Sequence, residues 1–219
     1  MKTLITLLIL VASPLAARAQ SVNLGALDER TNLVSVTTGA EHGLVVGTGY
    51  QRVLATAERP ILVGGDLTIC GADADLGDVR ARAGAIAPIA SYGAWKLAGG
   101  LAAIVRGTKS DIARMVDVGA DATLLLGRYT RRWFAAAELG FDWAIATHIT
   151  PTEDYRMNVY PDARTGWYGN TGGVLRGGVQ AGLSVGRADV ILRAGKLVDV
   201  AGDPTMFPIY ATLGVDTHW

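Results

Sequence analysis

The sequence predicts an all-β fold: a closed antiparallel up-and-down transmembrane β-barrel of about ten strands, with eight or twelve as alternatives. Three observations predict it. Apolar residues recur at every second position in segments of about ten residues, the period of a strand with one oily face. Half of the 219 residues are hydrophobic, yet beyond the first twenty no apolar run approaches the ~20 residues that a spanning helix needs. The polar faces of the segments carry basic and acidic residues in nearly equal number, as a side-chain-filled interior requires.

The opening stretch, MKTLITLLILVASPLAARAQ, has a basic Lys2, an apolar run from Leu4 to Ala12 and the small-x-small triplet Ala17-Arg18-Ala19. That layout is a secretory signal peptide over residues 1–19, leaving 20–219 as a single barrel domain. Cleavage removes Lys2 and Arg18 and leaves 18 basic against 20 acidic groups, a balance that argues against a nucleic-acid partner. Cys70 is the lone cysteine, so an exported chain of this kind has no internal disulfide to hold it together.

The strands follow in order. Asn32 to Leu54 alternates throughout, but as one strand it would run to about 75 Å, so it splits near Thr38-Gly39-Ala40-Glu41. Ile61–Cys70 sets Val63, Leu67 and Ile69 against Asp66 and Thr68. Arg80–Ile89 sets a row of alanines against Arg80 and Arg82. Trp95–Arg106 opposes Leu97, Leu101, Ala103 and Val105 to Lys96 and Arg106. Val116–Leu126 opposes valine, alanine and leucine to Asp117, Asp121 and Thr123. The clearest segment, Trp133 to His148, places Glu138, Asp142 and His148 opposite Trp133, Leu139, Phe141 and Trp143. Leu175–Val185 carries Arg176 on its polar face, and Asp189–Leu197 carries Asp189 and Arg193. The last segment places Ile209, Ala211, Leu213, Val215, Thr217 and Trp219 opposite Tyr210, Thr212, Gly214, Asp216 and His218.

A soluble sandwich would crowd its polar faces with Lys and Glu. Here those faces are sparse and rich in glycine, including Gly47, Gly64, Gly84, Gly100, Gly119, Gly140, Gly178, Gly182 and Gly214, which suggests a concave interior where large side chains need room. The predicted lumen network is Asp66, Arg80, Arg82, Lys96, Arg106, Asp117, Asp121, Glu138, Asp142, Arg176, Asp189, Arg193 and Asp216, six cations against seven anions. Closure is the way strands sit in lipid without an unpaired edge.

The export signal, the alternating strands and the terminal aromatic preceded by Ile209, Ala211, Leu213 and Val215 resemble bacterial outer-membrane β-barrel proteins. The resemblance implies location in the cell outer membrane, contact with its lipid, and reading of the last strand by the barrel-assembly machinery. Thr217 departs from it, standing where that signal often has a large apolar or aromatic residue. With both termini periplasmic, ten strands put the longest connection, residues 150–173, outside the cell. Tyr155 to Tyr160 is expected to extend that loop as a hairpin.

Three function classes remain: a monomeric structural or binding barrel with narrow solute passage at most, a rim-sited lipid- or peptide-modifying hydrolase, and a soluble periplasmic ligand-binding barrel. The hydrolase would draw on His148 with Glu138 or Asp142 as acid–base groups. Glu138 and Asp142 lie about 13 Å apart along one strand, too far to act as a pair without groups from other strands. No nucleophile elbow, metal-binding motif or phosphate loop is present, and the sequence calls for no cofactor and no metal.

Overall fold

The protein is described by a computed structural model covering residues 21–219 apart from 42, 56–58, 71–77 and 201–203; the expected signal peptide, 1–19, lies outside the described residues. Alternating sequence becomes alternating burial. The strands are β1 (Asn32–Ala40), β2 (Leu44–Ala55), β3 (Pro60–Cys70), β4 (Asp78–Tyr92), β5 (Trp95–Lys109), β6 (Ala113–Tyr129), β7 (Trp133–Pro151), β8 (Gly166–Val185), β9 (Ala188–Asp199) and β10 (Pro204–His218). Each pairs antiparallel with its sequence neighbours, and β10 pairs with β1 to close a ten-stranded up-and-down barrel. The long alternating region 32–54 does divide into two strands, with Glu41 and Gly43 in the connection and the Glu41 N–H donating to Gly43 O at 3.0 Å.

The chain's final residue belongs to the closing seam. The N–H groups of Thr31 and Asn32 donate to Trp219 O at 3.1 and 3.0 Å, and Trp219 N–H donates to Asn32 O at 3.2 Å. The seam register runs from Leu33 opposite His218 to Ala40 opposite Ala211. An unpaired strand end would expose backbone groups; here the tryptophan backbone is bonded and its side chain faces outward at the barrel edge.

The two ends differ. At the turn end, where both termini lie, strands are joined by tight connections such as Gly93-Ala94 and Gly186-Arg187. Gly93 and Gly186 have φ of 59° and 61°, the left-handed region that glycine enters without steric cost. At the loop end the longest connection is 152–165, shorter than expected because β7 runs to Pro151 and β8 starts at Gly166. It holds a helix, α1 (Glu153–Asn158), in place of the expected hairpin. Thr152 caps that helix by accepting from Tyr155 N–H at 3.3 Å, and Glu153 and Asp154 occupy its first turn, where acids complement the helix dipole.

Two features position the side chains inside. Inward glycines make room for large neighbours: a Cβ on Gly182 would sit 2.3 Å from the Phe134 ring, and one on Gly140 would sit 2.4 Å from Arg176 Nη2. The second feature is a bulge in β7. Ala144 pairs with Gly119 and Ala146 with Val118, leaving Ile145 unpaired against β6. The extra residue reverses which side chains face inward beyond it.

Candidate functional site

The candidate site is the lumen, which the described residues fill from both ends. At the turn end the chain before β1 folds inward through a 3₁₀ turn at Leu27–Glu29. Val22, Asn23 and Leu24 are fully buried. Val22, Leu24 and Leu27 join wall residues such as Leu33, Val53, Leu62, Leu125, Phe134 and Ile191 in one apolar cluster, with Tyr129 stacked on Phe134 at 5.3 Å between ring centroids.

Polar groups fasten this plug. Lys96 Nζ donates to Leu24 O at 2.6 Å. Asn23 Nδ2 donates to Ser184 Oγ at 3.0 Å. Arg30 makes a buried two-contact ion pair with Asp189, Nη2 to Oδ1 at 2.9 Å and Nη1 to Oδ2.

The rest of the lumen is ionic. Arg82 grips Asp66 through Nε (2.9 and 3.1 Å) and Nη2 (2.6 Å). Arg176 bridges two acids, donating from Nε to Glu138 Oε1 at 2.7 Å and from Nη1 to Asp121 Oδ2 at 3.1 Å, and its Nη2 reaches Thr123 Oγ1 at 3.0 Å. Arg193 approaches Glu138 from the other side, with Nε to Oε2 at 3.0 Å and Nη2 to Oε1 at 2.5 Å. Arg80 pairs with Glu41 at 2.5 Å, Arg106 with Asp142, and Asp117 accepts from Thr147 Oγ1. Asp216 is buried on the inner face of β10.

Each of the thirteen charged residues named for the lumen from the sequence thus sits on an inward position. The ion pairing brings most of them into contact, whereas Lys96 and Asp189 meet the plug and Asp117 meets a threonine. Two network members were missed, Arg30 and Glu41. One precedes the first strand and the other lies in a turn, so period-two alternation could not assign either to a face; the alternating Val22 and Leu24 was the available hint of a buried leader. They add one cation and one anion, which keeps the interior balanced. Glu41 is held well below the ordinary carboxylate range: burial alone would raise its pKa, and the adjacent Arg80 guanidinium outweighs that.

His148 requires a correction. Because of the Ile145 bulge it pairs with Val116 and Trp167 on the outer face, and Thr147, 4% exposed, points inward in its place. The imidazole packs edge-on against Trp167 with centroids 5.1 Å apart. Glu138 and Asp142 are inside, each bonded to arginine. The wall strand therefore separates the histidine from both carboxylates it was grouped with.

At the loop end Cys70, Asp78, Arg80, Arg106 and Asp142 line a cup of about 230 Å³. Among the described residues no cluster of three His, Cys, Asp or Glu side chains could hold a metal ion.

The outer face of the C-terminal strand presents Ile209, Ala211, Leu213, Val215 and Trp219 in a row, with Ile209 64% and Trp219 57% exposed. No protein-family model matches this chain, and a comparison with curated proteins finds no significant match.

Proposed function

We propose that the protein is a monomeric outer-membrane barrel with a closed lumen, acting as a structural or surface-binding component. The observation that carries this reading is the outward face. On β6 it runs Val116, Val118, Ala120, Ala122, Leu124, Leu126, and charged residues appear only beyond its ends, at Arg114 and Arg128. Ten residues of strand at about 3.3 Å each, tilted by about 40°, span about 25 Å, the height of the apolar band of such barrels. Exposed Trp95, Trp133 and Trp219 ring the turn end, as aromatic girdles do at a lipid–water boundary.

Outward Lys196 on β9 is opposite Ile209. Ten residues of chain separate Ile209 from Trp219, just past the end of β10, again about 25 Å of height, so the lysine belongs at the upper edge of the band, where its chain can reach polar headgroups. So large an apolar exterior is unsuited to a soluble periplasmic barrel, and the filled interior supports binding or structure over solute passage.

Fractionation tests this directly. The mature chain is expected in the outer-membrane fraction, extracted only by detergent and shifting in gel migration on heating. Release by osmotic shock would sink the reading. In planar bilayers the inserted barrel is expected to stay silent; steady single-channel currents would replace the closed lumen with a pore.

A further inference from the structure

We infer that the cup at the loop end of the lumen is a binding site for a small zwitterion, an α-amino acid with a short apolar side chain. The cup measures about 230 Å³, below the ~300–1,000 Å³ of sites for drug-sized ligands, so one small molecule suits it. Five strands build it, through Cys70 of β3, Asp78 and Arg80 of β4, Arg106 of β5, Asp142 of β7 and Val174 of β8. These residues fall on inward positions of their strands, so the site exists whatever solvent surrounds the barrel.

The floor holds two guanidinium groups whose charges are already met. Arg80 and Arg106 stand directly opposite each other on β4 and β5. Arg80 Nη2 donates to Glu41 Oε2 at 2.5 Å, and Arg106 Nη2 donates to Asp142 Oδ2. What is left over is hydrogen-bonding capacity. Arg80 is 7% exposed and its Nε has no acceptor among the described residues, and a buried donor without an acceptor is costly. The cavity on the other side of this arginine measures about 20 Å³, room for a water molecule, so a larger solute meets Arg80 in the cup. Arg106, whose side chain is 23% exposed, offers further N–H donors to the same ligand group. Two guanidinium forks with donors to spare suit a carboxylate.

The rim has the opposite need. Asp78 accepts the Lys109 N–H through Oδ1 at 3.2 Å and makes no ion pair with a described residue. A simple anion in the cup would lie beside that carboxylate, and a simple cation would leave Arg80 Nε unmet. A zwitterion answers both, with its carboxylate at the arginines and its ammonium at Asp78. The two residues are two positions apart on one face of β4, about 7 Å along the strand. A carboxylate and an ammonium borne on one carbon, each with a hydrogen bond of about 2.9 Å, bridge that gap. Val174 gives the cup an apolar side, where a short aliphatic side chain packs.

The lone cysteine supplies the reporter, because Cys70 is half-buried in the cup wall. The purified mature barrel is alkylated with iodoacetamide in the presence of L-valine, 3-methylbutanoate, which lacks the ammonium, or isobutylamine, which lacks the carboxylate. Valine is expected to slow alkylation of Cys70 at a concentration about tenfold lower than either analogue needs, the worth of one charge-assisted hydrogen bond. Asp78→Asn, which keeps an acceptor for the Lys109 N–H, is expected to bring valine down to the level of 3-methylbutanoate. Arg80→Lys, which keeps a cation for Glu41 and removes Nε, is expected to weaken both carboxylates; Lys196→Glu, on the outer wall, is expected to change nothing. Equal protection by the three compounds, an Asp78→Asn barrel that keeps the preference for valine, an Arg80→Lys barrel that binds as the wild type does, or no protection at all would each overturn the assignment. Heat-modifiable migration of every variant checks folding. If the wild type is released by osmotic shock, the membrane reading falls and the cup is tested as before; if it is inserted but valine leaves Cys70 unprotected, only this inference falls.

Discussion

The two halves of the lumen solve one packing problem with opposite chemistry. Near the turn end the wall is apolar and is filled by the chain's own leader, with Val22, Leu24 and Leu27 inside a cluster of leucine, isoleucine and aromatic residues. Toward the loop end the wall itself fills the space, through long arginines and the acids that neutralise them. The apolar half gains stability by removing surface from water. The ionic half gains little net energy, because desolvation of each charge offsets much of the attraction, yet losing one partner is costly. The apolar half should therefore decide whether the barrel folds, and the ionic half which arrangement it adopts.

The largest effect expected from breaking this contrast is deletion of residues 21–30. It exposes the apolar wall and leaves Asp189 and Lys96 without the plug groups they bind, so the heat-modifiable form should be lost. Asp189→Ala comes next. It strands the Arg30 guanidinium in a site where the acid is fully buried, a change worth about 3–5 kcal/mol in denaturant titrations of the reconstituted barrel. The double variant Arg30→Met/Asp189→Leu should recover most of that loss; if it does not, the pair holds the plug beyond simple compensation of charge. Leu24→Ala should cost about 2–5 kcal/mol by opening a cavity in the plug, with the fold intact.

Glu138→Gln probes the ionic half. Arg176 retains Asp121 and the amide still accepts hydrogen bonds, so a smaller loss of about 1–3 kcal/mol is expected. The smallest effect is titration of Glu41. Its folded pKa is depressed by Arg80, so its contribution is complete above the ordinary glutamate value of about 4.3 and disappears as pH falls through the lowered folded value. Unfolding midpoints should decline as pH falls from about 4.3 toward the lowered folded value, and Glu41→Gln should flatten that part of the profile. An unchanged profile would remove Glu41 from the network.

Much of the fold was legible because a strand's two faces repeat every second residue, and a wall with an apolar outside and a filled inside writes that period into the chain. The split of 32–54, the ten strands and the inward placement of Asp66, Arg82, Glu138, Arg176 and Arg193 all followed from parity. Parity also failed in a definable way. One extra residue at Ile145 carries no mark in composition, yet it moved His148 from the inner face to the outer one. Glu153 to Asn158 became a helix because Thr152 could cap it, a local preference that outweighed the turn signal at Pro161.

From the sequence alone came the class of wall and the balance of charge within it, since alternation and composition act residue by residue along the strand. Tertiary structure decided which arginine meets which acid and that Ser21 to Arg30 occupies the turn end of the lumen. Those outcomes depend on register between strands distant in sequence and on the volume left inside a closed sheet, and neither quantity is carried by any single stretch of the chain.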